Sequence, residues 1–174
     1  MAGISWPRRS YEATVLLVPL DPDVRTWLGA RDGDDLEGIT VAGVELLVEQ
    51  SRFRPEPVPA TGEGHAVSSP LEHAVHDADV VVLITHDLSV VDHDAVVQIG
   101  DAARASGTLL GAVVVSADAR WREPAELVTA AVVRESADNV VILRDARFVL
   151  AFLQVLRGGA RDGGPAAGLL GAAT

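Results

Sequence analysis

Apolar residues along this chain gather in five short, β-branched runs bounded by residues that break regular structure: Ala13–Val18 (ATVLLV), Gly43–Val48 (GVELLV), Val80–Thr85 (VVVLIT), Leu109–Val115 (LLGAVVV) and Asn139–Leu143 (NVVIL). The last three lack alternation of polar and apolar positions, which predicts strands buried on both faces, as in a parallel sheet. Parallel strands need crossovers, and helical patterns fall between the runs. Ser69 as a cap and Pro70 at the first helical position predict a helix over Ser69–Ala78. Over Asp92–Ala105 the stripe Ala95, Val96, Ile99, Ala102 and Ala103 has helical spacing, and Gly107 ends it. Pro124–Glu135 carries Leu127, Val128, Ala131 and Val132 on one face, and Asp145–Leu156 carries Phe148, Val149, Phe152, Leu153 and Leu156.

This alternation predicts an α/β three-layer sandwich with a five-stranded, mainly parallel sheet in the order 2-1-3-4-5 and helices on both faces. The expected core includes Val15, Leu17, Leu46, Val80, Val82, Ile84, Val113, Val115, Val141 and Ile142. A single domain over residues 11–157 is expected, after a flexible start at residues 1–10. Residues 50–68, with three prolines, read as a long mobile loop, and residues 158–174, with six glycines, as a disordered tail.

Composition narrows the chemistry. The fourteen basic residues are all arginine, and cysteine is absent. Without lysine there is no P-loop amine and no Schiff base, because guanidinium keeps its proton. Without cysteine there is no thiolate nucleophile, thiol metal cage or disulfide. Three Trp, one Tyr and three Phe in 174 residues leave an aliphatic core. The net charge of -11 speaks against nucleic acid, whose phosphates demand clustered cations, and against an anionic membrane surface. The first residues lack the apolar stretch of a signal peptide, and no run approaches the ~18 apolar residues of a membrane span. A cytoplasmic protein is therefore expected. Arginine in place of lysine, with abundant Ala, Gly and Val, suggests a GC-rich bacterial genome.

Residues Asp77–Val115 (DADVVVLITHDLSVVDHDAVVQIGDAARASGTLLGAVVV) and Ser136–Leu153 (SADNVVILRDARFVLAFL) together resemble the centre of the FtsZ/tubulin-like GTPase domain. Asp35–Gln50 is similar to that family's second strand and Ala13–Leu20 to its first, so the likeness covers roughly residues 13–156. It rests on the order and spacing of elements, which other Rossmann-like domains share. The family's functional residues do not carry over. Its glycine-rich phosphate loop is replaced by Thr85–Val91 (THDLSVV), without a glycine. Glycines there let backbone N–H groups close on phosphate without a Cβ in the way. The loop after the first strand, Pro19–Val24 (PLDPDV), adds Asp21 and Asp23, which repel an anionic ligand. The chain also stops where the family's second domain would begin. The resemblance thus implies a degenerate domain that has lost the GTPase machinery. Ile84–Val91 (ITHDLSVV) is also similar to the switch-histidine segment of ABC-transporter ATPases, but that segment works only beside a P-loop lysine.

In an open parallel sheet ligands collect beyond the carboxyl ends of the strands at the switch in strand order, here between the first and third strands. The expected crevice comprises Asp21, Asp23, Thr85, His86, Asp87 and Ser89, joined by Ser116 and Asp118. Two readings compete there. In the first, Asp87 or Ser89 caps the next helix and His86 tops a strand in solvent, which leaves a non-catalytic scaffold. In the second, His86 is a general base oriented by Asp21, with Ser89 as nucleophile or anion ligand, in a small enzyme acting on a neutral or cationic molecule.

Elsewhere, His86, Asp92, His93 and Asp94 form two His-Asp pairs, but adjacent residues on one element point apart and no metal site is expected. His73 and His76 lack a third ligand and read as solvated helix face. Trp27 and Trp121 stand beside arginines and suit a core edge or an interface, or stacking on a base or flavin ring in an atypical nucleotide- or flavin-binding module. Arg52, Phe53 and Arg54, in the proline-rich loop, are the expected partner contact, because guanidinium forks grip carboxylates. The leading expectation is a protein-binding or scaffold subunit with no cofactor and no metal, with a protein partner and the option of a homo-oligomer.

Overall fold

The computed structural model describes residues 12–44 and 69–158, apart from Asp32 and Ala119. Their order is β1 (Val15–Pro19), α1 (Pro22–Gly29), a 3-10 turn (Gly33–Leu36), β2 (Ile39–Val41), α2 (Pro70–His76), β3 (Val80–Thr85), a 3-10 turn (Leu88–Val90), α3 (His93–Ser106), β4 (Leu109–Val115), α4 (Pro124–Ser136), β5 (Asn139–Leu143) and α5 (Arg147–Arg157). The five strands form one all-parallel sheet in the order β2-β1-β3-β4-β5. This is the architecture expected from the sequence.

The two faces of the sheet carry separate cores. Leu16, Val18, Val81, Leu83, Leu110 and Ala112 meet Leu71 and Val75 of α2, Val96, Ile99 and Ala103 of α3 and Val133 of α4. On the other face Val15, Leu17, Val82, Ile84 and Val113 meet Val24 and Leu28 of α1 and Val149 and Leu153 of α5. Strands buried on both sides need apolar residues at consecutive positions, and this explains the unbroken aliphatic runs of β1, β3 and β4.

Local signals set the helix ends. Ser69 and Glu72 form a reciprocal capping box at α2. Asp92 caps α3 by accepting the N–H groups of Asp94 and Ala95, and Gly107, at φ 73°, closes that helix in the left-handed conformation.

Four features depart from the sequence reading. The second strand is Ile39–Val41 rather than Gly43–Val48; Val44 is already helical, and Leu46, assigned to the core, lies outside the described residues. The β-branched triplet Ile-Thr-Val pairs with Val15–Leu17 of β1 and ends as the Ala42 N–H donates to the Leu17 carbonyl. Second, Pro22–Val24 is the first turn of helix α1 and not a loop.

Third, β5 is not buried on both faces: Val140 and Ile142 are 37% and 41% exposed, and Val141 is half-buried. Among the described residues it is an edge strand, paired with β4 on one side only. Val80 and Val115 are likewise only partly buried.

Fourth, α4 turns Thr129, Val133 and Ser136 inward and leaves Leu127 and Val128 more than half exposed. The seam with α3 explains this orientation. A Cβ on Gly100 would lie 3.1 Å from the Ser136 Cβ, and His93 Nε2 is 2.7 Å from the Thr129 hydroxyl. The close approach of the two helices therefore needs small and polar residues. Since the Thr129 hydroxyl also lies 3.0 Å from the Ala125 carbonyl and donates its single proton there, His93 supplies the proton of the shared bond. On α5 Phe148, expected on the apolar face, is 58% exposed.

Candidate functional site

The crevice at the carboxyl ends of β1 and β3 is organised by one carboxylate. Asp21 follows β1 and is 1% exposed. Its backbone is extended (φ -131°, ψ 159°), so its side chain caps α1, with Pro22 beginning the helix. Val24 N–H donates to Oδ1 at 2.8 Å. Oδ2 accepts from the His86 main-chain N–H at 2.6 Å and from the Thr85 hydroxyl at 2.8 Å. Two turns that are 64 residues apart in sequence thus converge on one anion. Burial alone would raise the Asp21 pKa, but the N–H donors of Val24 and His86, the Thr85 hydroxyl and the nearby His86 ring together hold it below the usual aspartate value. The group is a buried anion at neutral pH.

The rest of the crevice is similarly self-contained. Thr85 is 2% exposed and accepts the Asp87 N–H at 3.1 Å. Asp87 caps the turn Leu88–Val90, taking the Ser89 N–H at 2.8 Å and the Ser89 hydroxyl at 2.6 Å on Oδ1. Asp23 lies exposed in the first turn of α1. Ser116 and Asp118 follow β4; the Asp118 carboxylate accepts the Arg120 N–H at 3.3 Å, and the Ser116 hydroxyl stands 3.5 Å away.

The structure therefore brings Asp21, Thr85, His86, Asp87 and Ser89 together, but not as the triad that catalysis would need. The Asp21 carboxylate contacts the main chain of His86, not its ring, so it does not orient an imidazole base. Ser89 donates to Asp87 rather than to a histidine. His86 Nε2 is buried without a hydrogen-bond partner, and its ring meets Trp27 edge-on with centroids 6.4 Å apart. Trp27 in turn lies 4.5 Å beneath the guanidinium carbon of Arg31. His86 is thus half-buried against an aromatic ring and not a solvent-facing strand top. Trp27 and Arg31 were not placed at this crevice by the sequence reading; the spacing Asp21-Pro22 that starts α1 is the signal that would have put Trp27 there, two helical turns from the cap at most.

Because Nε2 has no hydrogen bond to lose, His86→Ala forfeits mainly the edge contact with Trp27 and should lower the unfolding free energy by about 1 kcal/mol in urea titrations. The main-chain N–H that holds Asp21 survives that substitution.

Two cavities lie at the opposite, amino ends of the strands. One, of about 340 Å³, is lined by residues including Thr14, Gly38, Ile39, Thr40 and Arg157. Arg157 is 7% exposed and donates to the Glu37 carbonyl, while Gly38, at φ 75°, lets the guanidinium pack where a Cβ would stand 3.1 Å from it. The other, of about 100 Å³, is apolar and lies between Leu109–Ala112, Asn139, Val141, Phe152 and Leu156. Among the described residues, no three His, Asp or Glu side chains converge as a metal site, and no helix is long and apolar enough to cross a membrane. Arg52, Phe53 and Arg54 lie outside the described residues.

No protein-family model matches the chain, and no curated protein does. Among solved structures, a conserved protein from Enterococcus faecalis V583 is similar to it: 14% identical, with a TM-score of 0.45, over 83% of this chain and 99% of that one.

Proposed function

We propose that this is a non-catalytic, FtsZ/tubulin-like domain that serves as a protein-binding or scaffold subunit. The observation that carries the reading is the buried Asp21 carboxylate. Phosphate-binding Rossmann-like domains use the N–H groups at the first helix and the neighbouring strand-end loop to hold an anion. Here those donors, Val24 N–H and His86 N–H, are spent on an internal carboxylate. A phosphate seated against them would lie within a few ångströms of a fixed negative charge. At an effective dielectric of 20 that repulsion is about 4 kcal/mol at 4 Å. The parallel sheet and its strand order are retained while its ligand position is filled from within, and this pattern favours a frame that presents surfaces over one that turns over nucleotide. The partner contact read from the sequence is Arg52, Phe53 and Arg54, which lie outside the described residues.

Two readouts on the full chain test this. Isothermal titration with GTP, GDP or ATP and magnesium should show no binding tighter than about millimolar, or roughly 4 kcal/mol. Affinity capture from the native host should retain a stoichiometric protein partner. Micromolar nucleotide affinity, or nucleotide turnover, would overturn the proposal.

A further inference from the structure

Among the described residues β5 forms one edge of the sheet. An exposed edge offers a row of unpaired N–H and C=O groups to any other strand, and proteins usually blunt such edges with lysine, proline, bulges or short length. The other edge follows that rule: β2 has three residues, and one of them, Ile39, is buried. β5 does not. Asn139–Leu143 is five residues long, all uncharged, and four of them are aliphatic. Val140 and Ile142 pair in register with Ala112 and Val114 of β4, so they lie on the sheet face that carries α2, α3 and α4, yet they are 37% and 41% exposed. On the same layer, α4 leaves Leu127 and Val128 uncovered.

We infer that β5 pairs antiparallel with β5 of a second copy of this chain, about a two-fold axis at Val141. The residues flanking the strand select this partner and this register. With Val141 opposite Val141, Val140 faces Ile142 of the other copy, and Asp138 faces Arg144. The sequence Asp138-Asn-Val-Val-Ile-Leu-Arg144 is therefore complementary to its own reverse, with an aliphatic ladder at its centre and an opposite-charge pair at each end. Cross-strand pairs of both kinds are favourable. Asp138 accepts the Leu110 N–H on Oδ2, which leaves Oδ1 for a guanidinium, and Arg144 is exposed. A symmetric pair of this kind closes on itself as a two-fold dimer with a ten-stranded sheet, whereas β5 against β2 would propagate head to tail. This inference concerns a surface distant from the Asp21 crevice and stands or falls separately from the proposed function.

The absence of cysteine makes the register directly testable. In an antiparallel pair a residue on the axis faces its own copy within disulfide reach. Val141→Cys in the full chain should therefore cross-link to a covalent dimer under copper-phenanthroline oxidation, while Glu135→Cys on the exposed face of α4 should not. Light scattering after gel filtration should give twice the chain mass of 18.2 kDa. Ile142→Lys and Arg144→Glu should each shift the protein to monomer while leaving the far-ultraviolet circular dichroism unchanged. A monomer mass for the natural chain up to about 100 μM would overturn the proposal, since pairing weaker than that is no specific dimer. So would a dimer that resists both substitutions or fails to cross-link at position 141, and so would open-ended growth.

Discussion

Asp21→Ala should lower the unfolding free energy by about 3 kcal/mol or more, the sum of a lost helix cap near 1 kcal/mol and of charged hydrogen bonds worth about 1.5–3 kcal/mol each, discounted for overlap. The substitution removes an acceptor from three donors at once: the N–H groups of Val24 and His86 and the Thr85 hydroxyl. Asp21 and Thr85 are almost completely buried, so water reaches the orphaned groups poorly. Asp21→Asn keeps the shape and one acceptor oxygen but turns an NH₂ toward a donor, and should fall between the two.

The sign of the pH dependence follows from the direction of the shift. The folded-state pKa of Asp21 lies below its unfolded value of about 3.9, so the folded state binds the proton less readily than the unfolded chain. Its contribution is present in full above the unfolded value and is lost as pH falls through the folded one. Urea denaturation from neutral pH down through this window should show stability declining with acid. In Asp21→Asn that part of the decline should be missing. If Asp21→Ala melts like the parent, the carboxylate is not the tie between the two turns.

The sheet order and most helix boundaries were legible because they depend on signals confined to a few residues. The runs of β1, β3 and β4 are apolar at every position since both faces are covered, and Ser69-Pro70, Asp92 and Gly107 mark helix ends by chemistry that acts locally. The departures came where a neighbour distant in sequence decides. NVVIL reads like VVVLI letter by letter, yet β5 sits at the edge and β3 at the centre; the expected strand order implied that difference, and the letter pattern that put Val141 and Ile142 in the core did not carry it. On α4 the aliphatic arc Leu127, Val128 and Ala131 looks like a core face, but the approach of Gly100 to Ser136 turns it outward. At the candidate site the residue types were legible and their wiring was not. Asp21 and His86 are neighbours as expected, but a carboxylate can bind a ring nitrogen or a main-chain N–H, and only the geometry of the turn after β3 selects the latter. The signal that was present and undervalued was Asp21-Pro22: a good capping residue directly before a proline announces a helix start, and a carboxylate spent on a cap is not free for an imidazole.

Ile84→Ala and Ile142→Ala put that difference between centre and edge into one comparison. Both residues are isoleucines near the ends of aliphatic strands, and the sequence pattern assigns both to the core. Ile84 is 0% exposed and packs with Leu17, Val82 and Val113 of the sheet between α1 and α5. Truncating it removes three carbons and leaves a cavity that interleaved neighbours on three strands cannot readily close. The expected loss is about 2–5 kcal/mol, a large part of the 5–15 kcal/mol that holds a typical domain together. Ile142 is 41% exposed, so truncation returns a surface already half in water and opens no cavity. Measured by urea unfolding at a concentration where the chain is monomeric, its loss should stay within about 1 kcal/mol. Equal and large losses at both positions would mean that β5 is covered on both faces within one chain, which would remove the exposed aliphatic ladder on which the inferred pairing draws.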